Sequence, residues 1–181
     1  MDSKKRRFGA KFIEKIFGKT TKEEENSYFK KELAAPVTGK VMSLTELSDE
    51  SFSSGTMGQG CAIAPSLGEV LAPCDGVVAV FPQECYVIGI TSLEGIDIII
   101  HVGLETIRLN GKHFTPKVKE GEKVKAGQVL LQFDIDALKK EGFSLDTSMV
   151  VSNTDEFEST TTIVRAGDSV NAGDTLLVVE N

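Results

Sequence analysis

His101 stands in an almost purely aliphatic run, Gly95-Ile96-Asp97-Ile98-Ile99-Ile100-His101-Val102-Gly103-Leu104-Glu105-Thr106-Ile107, and the chain has one other histidine, His113. An imidazole, with an unperturbed pKa of about 6.5, suits nucleophilic or acid–base work near neutrality. Strand alternation sends Ile98, Ile100 and Val102 to one face, and Ile99, His101 and Gly103 to the other. On that reading Gly103 leaves open space beside the imidazole. A polar ring in an apolar surround with a void next to it suits a reaction partner. A structural histidine hydrogen-bonded into a core fits the same pattern, and periodicity alone leaves both open. The other reactive groups are weaker candidates. His113 lies in Asn110-Gly111-Lys112-His113-Phe114, a turn that predicts a solvated side chain. Cys85 reads as a small buried hydrophobe rather than a reactive thiol.

Short strands punctuated by glycine turns must position these groups. Val77–Phe81, Tyr86–Thr91, Ile96–Val102 and Gln128–Asp134 are β-rich, and only Asp136–Glu141 reads as a short helix. The chain also repeats itself. Val118-x-x-Gly121-x-x-Val124-x-Ala126-Gly127-x-x-Leu130-Leu131 recurs 46 residues later as Val164-x-x-Gly167-x-x-Val170-x-Ala172-Gly173-x-x-Leu176-Leu177. Ala35-Pro36-x-x-Gly39-x-Val41 recurs as Ala72-Pro73-x-x-Gly76-x-Val78. Each unit predicts a strand, a tight glycine turn and a second strand. Pairing the copies would bury their aliphatic faces, so the expected fold is all-β: a pseudo-duplicated antiparallel β-sandwich or barrel.

Composition divides the 181 residues unevenly. Residues 1–22 hold eight Lys/Arg against two Asp/Glu, while the remainder holds twelve against twenty-five. An acidic body with a basic tail argues against nucleic acid as a ligand and suits docking to a basic protein surface. Residues 1–19 form a basic amphipathic segment. Phe8, Phe12, Ile13, Ile16 and Phe17 share half of a helical wheel, and Lys4, Lys11 and Lys15 flank it. Residues 4–19 are therefore expected either to touch an anionic membrane surface or to serve as a solubilising tail. Residues 20–32 read as a polar linker and 33–181 as the folded domain. No apolar run reaches the roughly 18 residues that span a bilayer. Three cysteines without CxxC spacing read as reduced thiols in a cytoplasmic protein. With no His-x-His, neither a metal nor another cofactor is expected.

The order Gly-x-x-aliphatic-aliphatic-aliphatic-His-aliphatic-Gly-aliphatic-x-Thr-aliphatic resembles the phosphorylation-site signature of the glucose-type enzyme IIA of the bacterial sugar phosphotransferase system. The similarity runs from about Glu32 to Asn181 and takes in the glycine-bearing stretch Asp49–Ile63. Such proteins accept phosphate from the phosphocarrier HPr on a histidine Nε2 and pass it to a cysteine of a sugar-specific IIB domain. The resemblance thus implies that His101 is the phosphoryl acceptor. It implies HPr and IIB/IIC permease components as partners in trans. A relay histidine needs an apolar, slightly concave rim, for which Phe52, Met57, Ile99, Gly103 and Leu104 are the candidates. Asp49, Glu50 and Glu105 are expected to ring it with negative charge.

One position departs from the family pattern. A second active-site histidine usually precedes the first by fifteen residues. Counting back from His101 reaches Tyr86, in Cys85-Tyr86-Val87-Ile88-Gly89-Ile90, and Glu84 stands where threonine is frequent. A tyrosine hydroxyl donates a hydrogen bond, but its pKa of about 10 makes it a poor proton shuttle. Glu84 would add negative charge beside a phosphate. The resemblance therefore leaves two functions open: a working phosphocarrier, or a regulatory binding protein switched by phosphorylation of His101 with onward transfer impaired.

Overall fold

The computed structural model describes residues 29–181. The basic segment over 1–19 and the linker up to residue 28 lie outside the described residues. Among those residues are fourteen strands: β1 (Lys30–Ala34), β2 (Gly39–Met42), β3 (Gln59–Pro65), β4 (Glu69–Leu71), β5 (Gly76–Val80), β6 (Val87–Ser92), β7 (Asp97–His101), β8 (Phe114–Pro116), β9 (Lys123–Val124), β10 (Val129–Phe133), β11 (Thr147–Val151), β12 (Ser159–Thr162), β13 (Ser169–Val170) and β14 (Thr175–Glu180). Two short helices, α1 (Glu50–Ser53) and α2 (Ile135–Lys140), accompany them. Lys30–Glu32 fall at the end of the expected linker but pair with Glu180–Val178 as an edge strand. Main-chain pairing there needs no apolar side chains, so composition hides it.

All strand pairs are antiparallel. One sheet has the order β13-β2-β3-β11-β7-β6-β5-β9, and two three-stranded sheets are ordered β1-β14-β12 and β4-β10-β8. The expected β-sandwich is thus the observed class. The orders map onto each other: β1-β14-β12 matches β4-β10-β8, and β13-β2-β3-β11 matches β9-β5-β6-β7.

The sequence repeats carry this pseudo-symmetry bond by bond. The Gly121 N–H donates to the Val78 carbonyl at 2.8 Å, and the Gly167 N–H to Val41 at 2.8 Å. Gly127 bonds Ala72 at 2.9 Å as Gly173 bonds Ala35 at 3.0 Å. Asp75 Oδ1 accepts from the Ala126 N–H at 2.8 Å, and Thr38 Oγ1, its equivalent, from Ala172 at 2.9 Å. Across the pseudo-dyad Ala34 donates to Pro73 at 3.0 Å and Leu71 to Pro36 at 2.8 Å. Even the irregularities are shared: the register of β1 on β14 shifts at Leu33/Ala34 as that of β10 on β4 shifts between Val129 and Leu131.

Two apolar clusters lie on opposite faces of the large sheet. The main core packs Ile88, Ile90, Ile98, Ile100 and Val102 with Leu33, Val70, Leu130, Leu131, Leu176 and Leu177 of the small sheets. Burying one such Ile or Leu contributes roughly 1.5–3 kcal/mol. A smaller cluster, Leu44, Leu47, Phe52, Ala62 and Val150 with Met42, Met57 and Ile99 against it, covers the outer face. The predicted alternation therefore holds within β7: Ile98 and Ile100 face inward, and Ile99 outward. α1 was not legible from periodicity. It is a single turn held by a cap, with Asp49 Oδ1 accepting from the Ser51 N–H at 2.9 Å.

Candidate functional site

β7 and β11 are the central strands of the large sheet, next to the pseudo-dyad, and His101 is the last residue of β7. The start of β7 is pinned by polar bonds. The Asp97 N–H donates to Asn153 Oδ1 at 2.9 Å, and Thr91 Oγ1 donates to Asp97 Oδ1 at 2.7 Å. Its exit is pinned as well. The Val102 N–H donates to the Tyr86 carbonyl at 2.8 Å, and Thr106 Oγ1 donates to the Val102 carbonyl at 2.6 Å. His101 sits in a row of paired residues that runs Val87, His101, Ser148, Ala62, Met42 across five neighbouring strands.

Two aromatic rings pack against the imidazole. The Phe52 centroid lies 5.4 Å away at a tilt of 57°, and the Tyr86 centroid 5.3 Å away, edge to face. Phe52, carried by α1, is 4% exposed, so it is a wall of the site rather than the exposed rim residue expected. Burial in this surround lowers the His101 pKa below its ordinary value. A backbone hydrogen bond to Gly103 and the negative charge of Asp49 oppose that shift. The ring is therefore neutral at neutral pH. With one ring N–H donated to the Gly103 carbonyl, the other nitrogen keeps its lone pair and can act as a nucleophile.

Gly103 corrects an expectation. It is buried, and its φ of +73° ends the strand alternation. A Cβ built there would lie 2.7 Å from both the Ser144 carbonyl oxygen and Thr106 Cγ2. The glycine serves a close backbone approach, and no open space adjoins the imidazole at this position. Buried, it cannot line a docking rim.

The carboxylates named from sequence differ in what they act on. Asp49 acts on the imidazole, whereas Glu105 is exposed and salt-bridged to Arg108 at 2.9 Å. Glu84 is half-buried and its charge acts on Cys85, one residue on. Neither Glu84 nor Glu105 moves the His101 proton affinity. Ile99, Leu104 and Met57 are half-buried, and Ile99 and Met57 join the outer cluster beneath α1. His113 is half-buried, and its Nε2 pairs with Glu141 Oε1 at 2.8 Å. Cys85 is buried, donates to the Gln83 carbonyl at 3.3 Å, and has its thiol pKa raised by burial. Burial pushes the Cys61 and Cys74 thiols up to about 12. Among the described residues no cluster of three His, Cys, Asp or Glu side chains is placed to hold a metal ion.

Ser148 was missed from sequence. Ser148 and Val150 share the outward parity of β11, but nothing in the sequence says that β11 pairs with β7.

Residues 31–157 match the family model described as the phosphoenolpyruvate-dependent sugar phosphotransferase system, EIIA 1. A glucose-specific EIIA component from Borreliella burgdorferi is 40% identical over 136 residues, covering 73% of this chain and 72% of its own. A glucose-specific EIIA component from Bacillus cereus is 38% identical over 152 residues, 84% of this chain and 89% of its own. A beta-glucoside-specific EIIBCA component from Dickeya chrysanthemi is 38% identical over 146 residues; the match is 81% of this chain but only 23% of that longer protein. Among solved structures, the glucose permease IIA from Mycoplasma capricolum superposes with a TM-score of 0.73 at 28% identity, over 84% of this chain and 96% of its own. Among the described residues no helix is long and apolar enough to cross a membrane.

Proposed function

The chain belongs to the glucose-type enzyme IIA family of the phosphoenolpyruvate-dependent sugar phosphotransferase system, and from that premise we propose that it is a phosphocarrier whose acceptor is His101. The observation that carries the proposal is a half-buried, neutral imidazole at the end of a central strand, with one ring nitrogen held by a backbone carbonyl. The free nitrogen, Nε2 in the family's chemistry, attacks the phosphorus of phospho-HPr. The new N–P bond forms from the His101 lone pair as the donor's N–P bond breaks, and the donor imidazole takes back its electron pair. Positioning and charge stabilisation are what the protein supplies to such a transfer. In the next step a IIB cysteine takes the phosphoryl group. The fusion of related IIA domains to IIB and IIC in the EIIBCA relatives supports those partners.

The test is phosphorylation of the full chain with phosphoenolpyruvate, enzyme I and HPr, read by intact mass. The wild type is expected to gain one phosphoryl group and His101→Ala none. Failure of the wild type in an active mixture rejects the phosphocarrier.

The edge-to-face seat of Tyr86 on the imidazole favours a second reading in which acceptance survives but onward transfer is slow. Tyrosine cannot relay a proton near neutrality. Tyr86→His is then expected to speed transfer from the phosphorylated protein to a IIB domain. An unchanged or reduced rate leaves the relay intact with tyrosine and removes the regulatory reading.

A further inference from the structure

We propose that the Ser148 hydroxyl donates a hydrogen bond to the phosphoryl group on His101 and holds it during transfer, an inference that rests on the phosphocarrier reading. Ser148 on β11 is the direct cross-strand partner of His101 on β7. Its parity fixes its face. Met149 and Val151 belong to the main core, while Val150, paired with Ile99, belongs to the outer cluster, so Ser148 points outward with His101. Cβ atoms of such a pair lie about 4.5–5.5 Å apart. Ser148 is 2% exposed, and among the described residues its hydroxyl makes no hydrogen bond. Yet it is not one of the fully enclosed orphan polar atoms, of which Thr160 Oγ1 is the example. The hydroxyl is thus uncommitted and lies on the His101 face of the sheet, in a nearly enclosed side chain.

The phosphoryl group needs such a donor. It brings up to two negative charges into a surround of Phe52, Ile99 and Val150, where a buried charge is costly unless hydrogen-bonded. The charge that acts on the imidazole is the carboxylate of Asp49, which would repel the phosphoryl group. Arg108 is tied to Glu105. Ser148 is fixed on both sides by ladder pairing to β3 and β7, so it is oriented before the phosphoryl group arrives. The serine proton stays on its oxygen throughout; the bonds made and broken are the two N–P bonds.

The experiment compares wild type, Ser148→Ala and Ser148→Thr as full chains. Phosphoryl gain is timed against HPr concentration with phosphoenolpyruvate and enzyme I, and urea unfolding checks the fold of each variant. Ser148→Ala is expected to lower the limiting rate about tenfold without changing the HPr concentration for half-maximal rate, since the side chain is too buried to touch the donor protein. Ser148→Thr, which keeps the hydroxyl, is expected to recover most of the rate. A wild-type rate in Ser148→Ala overturns this inference alone, as does a loss that Ser148→Thr does not recover. A wild type that gains no phosphoryl group overturns the phosphocarrier reading and this inference together.

Discussion

The proton affinity of His101 links its burial to its chemistry. Burial outweighs the Gly103 carbonyl and the Asp49 carboxylate, so the folded pKa lies below the unfolded value of about 6.5. Between the two values the unfolded chain binds more protons. The stability tied to the neutral ring is therefore fully present above about pH 6.5 and is lost as pH falls through the folded pKa. The expected outcome is a fall in unfolding midpoint between pH 6.5 and 5 that is shallower in His101→Gln than in wild type, read by thermal scans. The same shift keeps the nucleophile unprotonated, so phosphoryl acceptance is expected to stay level from pH 8 down to about 6.5, as followed by intact mass.

At the scale of elements, α1 matters more than its four residues suggest. Its N-cap Asp49 places a charge that the imidazole senses, and its Phe52 walls the ring. Phe52 is also the largest buried side chain of the outer cluster, which is separate from the main core. Phe52→Ala is expected to cost about 3 kcal/mol in urea unfolding. It should also raise the His101 pKa toward the ordinary value by admitting water, as tracked by NMR titration. An unchanged pKa would mean that the strands, not α1, set the ring's environment.

The whole molecule is two interlocked copies of one plan. Gly121 and Gly167 have φ of +85° and +98°, with nothing within 4 Å of a Cβ built at either. A substitution there is penalised through the backbone alone, by about 1–2 kcal/mol. Gly121→Ala and Gly167→Ala are expected to destabilise equally and additively in urea unfolding of the single and double variants. Unequal costs would mean that the two turns play different parts despite matching bonds. The symmetry also brings β7 and β11 together at the middle of the large sheet. His101 is thereby supported on both sides by paired strands rather than by a loop.

The repeats, the glycine turns and the alternation of Ile98, Ile99 and Ile100 were enough to indicate an all-β duplicated sandwich, because period and turn chemistry are local properties of the chain. The ordered residues around His101 were enough to indicate the family. Tertiary structure alone decided what surrounds the histidine. Gly103 looked open because strand alternation was carried two residues too far, past the point where its positive φ ends β7. The family pattern points to Glu84 and Glu105 near the site but not to their partners: Glu84 acts on Cys85, and Glu105 pairs with Arg108. Asp49, Phe52 and Ser148 reach the histidine from segments 47 to 52 residues away in sequence. Such contacts are fixed by which strands pair, and pairing is settled only when the whole sheet closes around its core.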